Sequence, residues 1–157
     1  RSLASTLVRD GRVFRSALDG RVSGPGVLED HAATALAFLD LYSLTFDATW
    51  LRQSRAITER TIHFFHDAST DTWYDTASDH EPLIVRPREV TDNATPSGTS
   101  LVAELLLAWS ELDHEPKWRS MAESIVARVG EAIAQYPQAL GHVAGRQSFH
   151  RAADFPA

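Results

Sequence analysis

One pattern is written twice in this chain, and it constrains the fold more than any other feature. Residues 29–46 are rich in helix formers and apolar on almost every side, which predicts a helix buried all round. Over residues 48–67 the pattern changes. Trp50, Ser54, Ile57, Thr61 and Phe64 fall on one stripe, while Arg52, Arg55, Glu59, Arg60 and His63 lie mostly elsewhere, so this helix has a wet face. Asp47 is a good N-cap for it, and the short connection leaves room only for an antiparallel hairpin. The same order then returns. Residues 101–110 are nearly all apolar, and Trp118, Met121, Ala122, Ile125, Val129 and Ile133 make another one-sided stripe that opens at Pro116, a residue tolerated in a first helical turn. Tyr42-Ser43 aligns with Trp109-Ser110, and Trp50 and Ile57 align with Trp118 and Ile125. The two alignments differ by one residue, which places a single-residue change in the turn. A third hairpin is expected from Pro137, with Leu140, Val143, Ala144 and Phe149 as the apolar positions of a helix over residues 138–153.

Alternation of buried and half-buried helices is what a two-layer ring of helical hairpins requires, with inner helices touched on all sides and outer helices facing water. The expected fold class is therefore all-α, an arc of alternating inner and outer helices that forms one partial domain over residues 1–157. Two stretches depart from it. Residues 11–22 have short alternating segments around Asp19-Gly20 and predict a small β-hairpin. Residues 67–96 contain Thr72-Trp-Tyr-Asp-Thr76 and Leu83-Ile-Val-Arg86, read as a strand pair inserted on one rim of the helical array.

Composition narrows the functions. The chain has 157 residues, 43% hydrophobic and 23% charged, the balance of one soluble globular domain. Its 15 Lys plus Arg against 21 Asp plus Glu give a net charge of -6 without a dense basic run, which argues against general nucleic-acid or anionic-membrane binding. No apolar stretch approaches the roughly 20 residues of a membrane span, and the first ten residues do not have the layout of a signal peptide. Cys is absent, which excludes disulfides, thiolate metal sites and a Cys nucleophile from this segment and makes the cytoplasm the expected compartment. The sequence begins without Met and stops without a polar tail, so a piece of a longer protein is expected.

Three stretches carry a family resemblance: Gly26-Val-Leu-Glu-Asp-His-Ala32, Leu41-Tyr-Ser-Leu-Thr-Phe-Asp-Ala-Thr-Trp-Leu51, and above all Pro82-Leu-Ile-Val-Arg-Pro-Arg-Glu-Val-Thr-Asp-Asn-Ala-Thr-Pro-Ser-Gly98. In these the chain resembles the thioredoxin-domain-containing, six-hairpin glycosidase-like family. The resemblance implies an α/α toroid related to N-acylglucosamine 2-epimerases and glycoside hydrolases, of which only the later hairpins are matched. It implies as partners the remainder of that toroid and a thioredoxin-like domain. No redox activity follows, because the thiol-bearing half is not matched. Family members usually have Tyr where His31 stands and Asn where Thr99 stands.

The candidate site is built from acids at the starts of the two apolar helices. Glu29 and Asp30 open the first, where unpaired N–H groups and the helix dipole favour carboxylates. Capping accounts for Asp30 taken alone, which leaves Glu29 as the better catalytic candidate, with His31 beside it. Asp92, Asn93 and Ser97 precede the second apolar helix in the equivalent place. Paired carboxylates about 5 to 9.5 Å apart carry out glycosidic chemistry, so Glu29, Asp30 and Asp92 are the catalytic candidates. The alternative is an Asx-type turn at Asp92 and Asn93 with Ser97 as a cap. Arg86 and Arg88 flank Pro87 and could hold a carboxylate or sugar acid, or make surface ion pairs. Trp73 and Tyr74 could stack on a sugar ring or simply pack. His63 and His66 lack a third ligand, so neither a metal nor a cofactor is expected. Two functions stand at this point. One is carbohydrate binding or processing at the rim, and the other is a non-catalytic scaffold in which the acids are caps. In either, exposed apolar helix faces would drive self-association.

Overall fold

The computed structural model describes residues 3–80, 86–87 and 96–135. They belong to two compact units, Arg1–Arg88 and Glu89–Ala157, each described here by itself. The all-α toroid is corrected by the first unit, which mixes helices with a three-stranded antiparallel sheet and a two-stranded one.

In that unit α1 (Leu3–Leu7) leads into β1 (Val8–Arg9), β2 (Arg12–Leu18) and β3 (Arg21–Pro25), in the order β1-β2-β3. Both connections are Asp-Gly pairs with positive φ on each residue: Asp10 at 50° and Gly11 at 75°, then Asp19 at 50° and Gly20 at 78°. This is the backbone that two-residue hairpins prefer, because its twist matches that of the strands. Asp19-Gly20 is the turn expected from the sequence, and Asp10-Gly11 adds a second of the same kind. A Cβ on Gly11 would lie 2.7 Å from the Ala56 carbonyl oxygen, so the turn approaches its helix neighbour as only Gly allows. Val13 is buried between strand and helix. The sheet therefore belongs to the core, and this is the physical reason the all-α expectation fails.

The first predicted helical hairpin is present as α2 (Leu28–Thr45) and α3 (Ala48–Phe65). Asp47 caps α3 as expected, its Oδ1 accepting from the Thr49 N–H at 2.8 Å. The stripe of α3 is shifted at its end: Ser54, Ile57, Thr58, Thr61 and Phe65 are buried, and Phe64 is only half-buried. Nor is α2 buried all round, because Ala33, Ala37, Asp40 and Leu44 form an exposed line along it. Beyond α3, β4 (His66–Asp67) pairs with β5 (Thr72–Trp73), so the partner of Thr72 and Trp73 is the segment just before them. Residues 83–85, expected in that role, lie outside the described residues.

The second unit holds α4 (Gly98–Asp113) and α5 (Pro116–Gln135). Ser97 caps α4, and Pro116 opens α5. Trp118 is buried, with its ring 6.2 Å from that of Trp109 and its Nε1–H donating to Asp113 Oδ2 at 2.8 Å. The two hairpin turns have the same length, and each leaves its first helix through a left-handed residue, Phe46 or His114, both with φ of 55°. The one-residue change expected in the turn is not there. Residues 136–157, including the third hairpin read from Pro137, are outside the described residues.

Candidate functional site

The start of α2 was expected to present Glu29, Asp30 and His31 to a ligand. Val27, at the N-cap position, has no side-chain acceptor to offer the first turn, and Asp30 turns back on it instead, its Oδ2 accepting from the Val27 N–H at 2.9 Å. The same oxygen lies 3.1 Å from Arg15 Nε. The Leu28 N–H donates to the Asp75 carbonyl at 2.9 Å. Loop carbonyl and carboxylate thus take up the Val27 and Leu28 N–H groups at this helix end. Glu29 is exposed in the same first turn, where the dipole favours a carboxylate.

His31 is buried and has a different task from the one expected. Its Nε2 accepts from the Val13 N–H at 3.1 Å, so Nδ1 carries the proton and donates to the Val27 carbonyl at 2.9 Å. Its ring lies 4.9 Å from that of Phe65. Burial lowers its pKa below the ordinary 6.5, which outweighs the opposing hydrogen bond to Val27 and the nearby Asp30 carboxylate. The imidazole is a neutral bridge from β2 to the start of α2.

The aromatic and Arg candidates are likewise held by the fold. Trp73 is buried, 4.7 Å from the His66 ring, and cannot offer a face to a sugar. The Arg86 guanidinium stacks over Tyr74 at 4.1 Å and donates to the carbonyls of Phe64 and Thr76, so it caps the end of α3 and fixes the loop after β5. Arg86 Nε and Thr76 Oγ1 are buried without hydrogen-bond partners among the described residues. Ser97 Oγ accepts from the Ser100 N–H at 3.2 Å as the α4 cap. Asp92, Asn93 and Arg88 lie outside the described residues.

The structure adds residues that the sequence reading did not single out. Arg12 stacks over the Phe64 ring at 4.2 Å and pairs with Asp79, while Arg60, at 5.7 Å from the same ring, donates to the Asp10 carbonyl. Their one sequence signal is Arg on an expected strand and Arg four residues before Phe64 on an expected helix. His66 Nε2 meets Asp71 Oδ1 at 2.9 Å, which ties down the β4-β5 turn. Among the described residues no three His, Asp or Glu side chains gather as a metal site would need, and no helix is long and apolar enough to cross a membrane. Comparison with known proteins finds no matching family model and no matching curated relative.

Proposed function

We propose that this chain acts as a non-catalytic scaffold or protein-interaction module. One observation carries this reading: at the start of α2, Asp30 and His31, two of the three polar side chains expected to meet a ligand there, are used by the fold itself. Asp30 takes the Val27 N–H, Asp75 takes the Leu28 N–H, and both nitrogens of His31 are hydrogen-bonded. An imidazole whose two nitrogens both bond backbone groups has no donor or acceptor left with which to bind a ligand. The suitable partners are proteins, including a thioredoxin-like domain such as the resembled family carries. The cytoplasm remains the proposed compartment.

The rival is carbohydrate binding or processing through Glu29 and Asp92. Titration calorimetry of the chain against a panel of neutral, amino and acidic sugars separates the two. The scaffold reading expects no saturable heat. Saturable binding that is lost in both Glu29→Gln and Asp92→Ala would overturn it.

A further inference from the structure

A groove runs beside α2, half open and about 340 Å³ in volume, with Leu7, Val8, Val13, Ala37 and Phe38 among its walls. Thr34 also lines it, but the Thr34 Oγ1 already donates to the Asp30 carbonyl at 2.7 Å. The lining therefore suits aliphatic side chains, because a polar group placed there would meet nothing to bond. Ala33 and Ala37 form the outer lip of the groove and are exposed, and Leu44, 79% exposed, continues their line two turns on.

The rim of this groove along α2 is acidic. Glu29 and Asp40 are exposed, and their spacing of three turns puts them on one side of the helix about 16 Å apart. Residues 28–45 contain no Lys or Arg. Asp30 is answered by Arg15, but neither Glu29 nor Asp40 has an ion-pair partner among the described residues. Arg9 and Arg12 alternate with Val8 and Val13 and so lie on the other face of the sheet, where Arg9 reaches the Gly20 carbonyl and Arg12 meets Asp79 and Phe64. Pairing this face with itself would set acid against acid. Basic groups are its complement.

We propose that the groove holds an amphipathic helix of a partner protein, with aliphatic side chains in the groove and Lys or Arg along one flank against Glu29 and Asp40. A helix fits better than an extended strand, because the backbone groups of α2 are used within the helix and leave a strand nothing to pair with. The small lip residues let two helices come close, and basic residues three turns apart on the incoming helix match the two acids. Asp40 is the stronger anchor, since it stands toward the negative end of the helix dipole and Glu29 stands at the positive end. The inference rests on the scaffold reading and names the face by which the scaffold takes its partner.

Fluorescence anisotropy of the whole chain with labelled probes tests it. One probe is a helical peptide with leucines along one face and two lysines three turns apart on its flank; its twin has glutamate at both lysine positions. Saturable binding of the lysine peptide is expected, about tenfold tighter than that of the twin, with a difference that shrinks as salt is added. Ala37→Gln, at the lip, should raise the Kd about tenfold. Asp40→Lys should weaken the lysine peptide and strengthen the twin, a reversal that damage to the fold would not produce. Both positions are exposed, so the circular-dichroism spectra of the variants should match that of the parent. No saturable binding, equal affinity for the two peptides, or affinities unmoved by both changes would overturn the proposal. A dimer seen by sedimentation that Ala37→Gln dissolves would also overturn it and give the groove to a second copy. The scaffold reading stands through all of these results and falls only to saturable sugar binding, so the two failures are told apart.

Discussion

Where α3 packs on α2, the buried positions of α3 include Ser54, Thr58 and Thr61; at the places of Ser54 and Thr61 in the second hairpin stand Ala122 and Val129, also buried. The hydroxyls of the first hairpin satisfy themselves. Thr58 and Thr61 donate to the carbonyls of Ser54 and Ile57 one turn back, each at 2.8 Å, and Ser54 reaches across to the Ala35 carbonyl at 2.9 Å. Buried polar atoms cost little once hydrogen-bonded, so the two hairpins reach the same geometry by different chemistry. Their tryptophans differ in the same direction. Trp118 is buried, whereas Trp50, 5.3 Å from the Phe38 ring, is half-buried. Apolar packing carries more of the second hairpin, and the first leans on hydrogen bonds and on its sheet.

The largest effect is expected where that contrast is sharpest. Trp118→Ala removes a buried ring, its contact with Trp109 and its bond to Asp113, and should cost about 3 to 5 kcal/mol by urea denaturation followed by far-UV circular dichroism. Trp50→Ala, at the matching half-buried place, should cost clearly less. Equal losses would mean that the first hairpin depends on apolar packing as much as the second.

Next comes the bridge that the first hairpin has to its sheet. His31→Leu leaves the buried Val13 N–H without its acceptor, at a cost of about 1 to 3 kcal/mol. The native bridge also has a pH signature. Burial holds the folded pKa below 6.5, so above that value the imidazole is neutral in both states and its stabilisation is complete. As pH falls below it, the unfolded chain takes up a proton that the folded one refuses, and stability declines. The stability difference between native and His31→Leu chains should therefore shrink on acidification, measured by thermal or urea melts from neutral to mildly acidic pH. A difference independent of pH would remove His31 from the account.

The helical hairpins were legible because a helix period repeated over long segments leaves little choice, and Asp47 and Asp19-Gly20 announce their caps and turns locally. The fold class was only partly legible: Asp10-Gly11 carries the same local turn signal as Asp19-Gly20, but β1 has only two residues, too few to show a strand pattern of its own. The exposed line on α2 was hidden for a related reason. Alanines suit a buried helix and an exposed one equally well, and Ala33 and Ala37 were read as buried. In the candidate site the residue types were legible but not their employment. Whether His31 meets a ligand or the Val13 N–H depends on where β2 docks. Asp30 was legible as a cap because capping is local; that Arg15 would join it was not.

The smallest effect bears most directly on whether the two hairpins are interchangeable. Ser54→Ala writes the second hairpin's residue into the first. It removes a donor whose acceptor, the Ala35 carbonyl, is part of the α2 backbone, and leaves behind no buried donor in need of a partner. The loss should be only about 0.5 to 1 kcal/mol. The reverse change, Ala122→Ser, puts a hydroxyl at a fully buried position. If α4 approaches α5 as α2 approaches α3, that hydroxyl finds the carbonyl of Ala103, which stands where Ala35 does, and the change is nearly neutral in a urea melt. If the spacing differs, the hydroxyl is buried unpaired and costs about 1 to 3 kcal/mol. A near-neutral Ala122→Ser would show that side-chain chemistry at the crossing is a free choice within one hairpin geometry. A large penalty would show that Ala122 and Ser54 each belong to a helix spacing of their own.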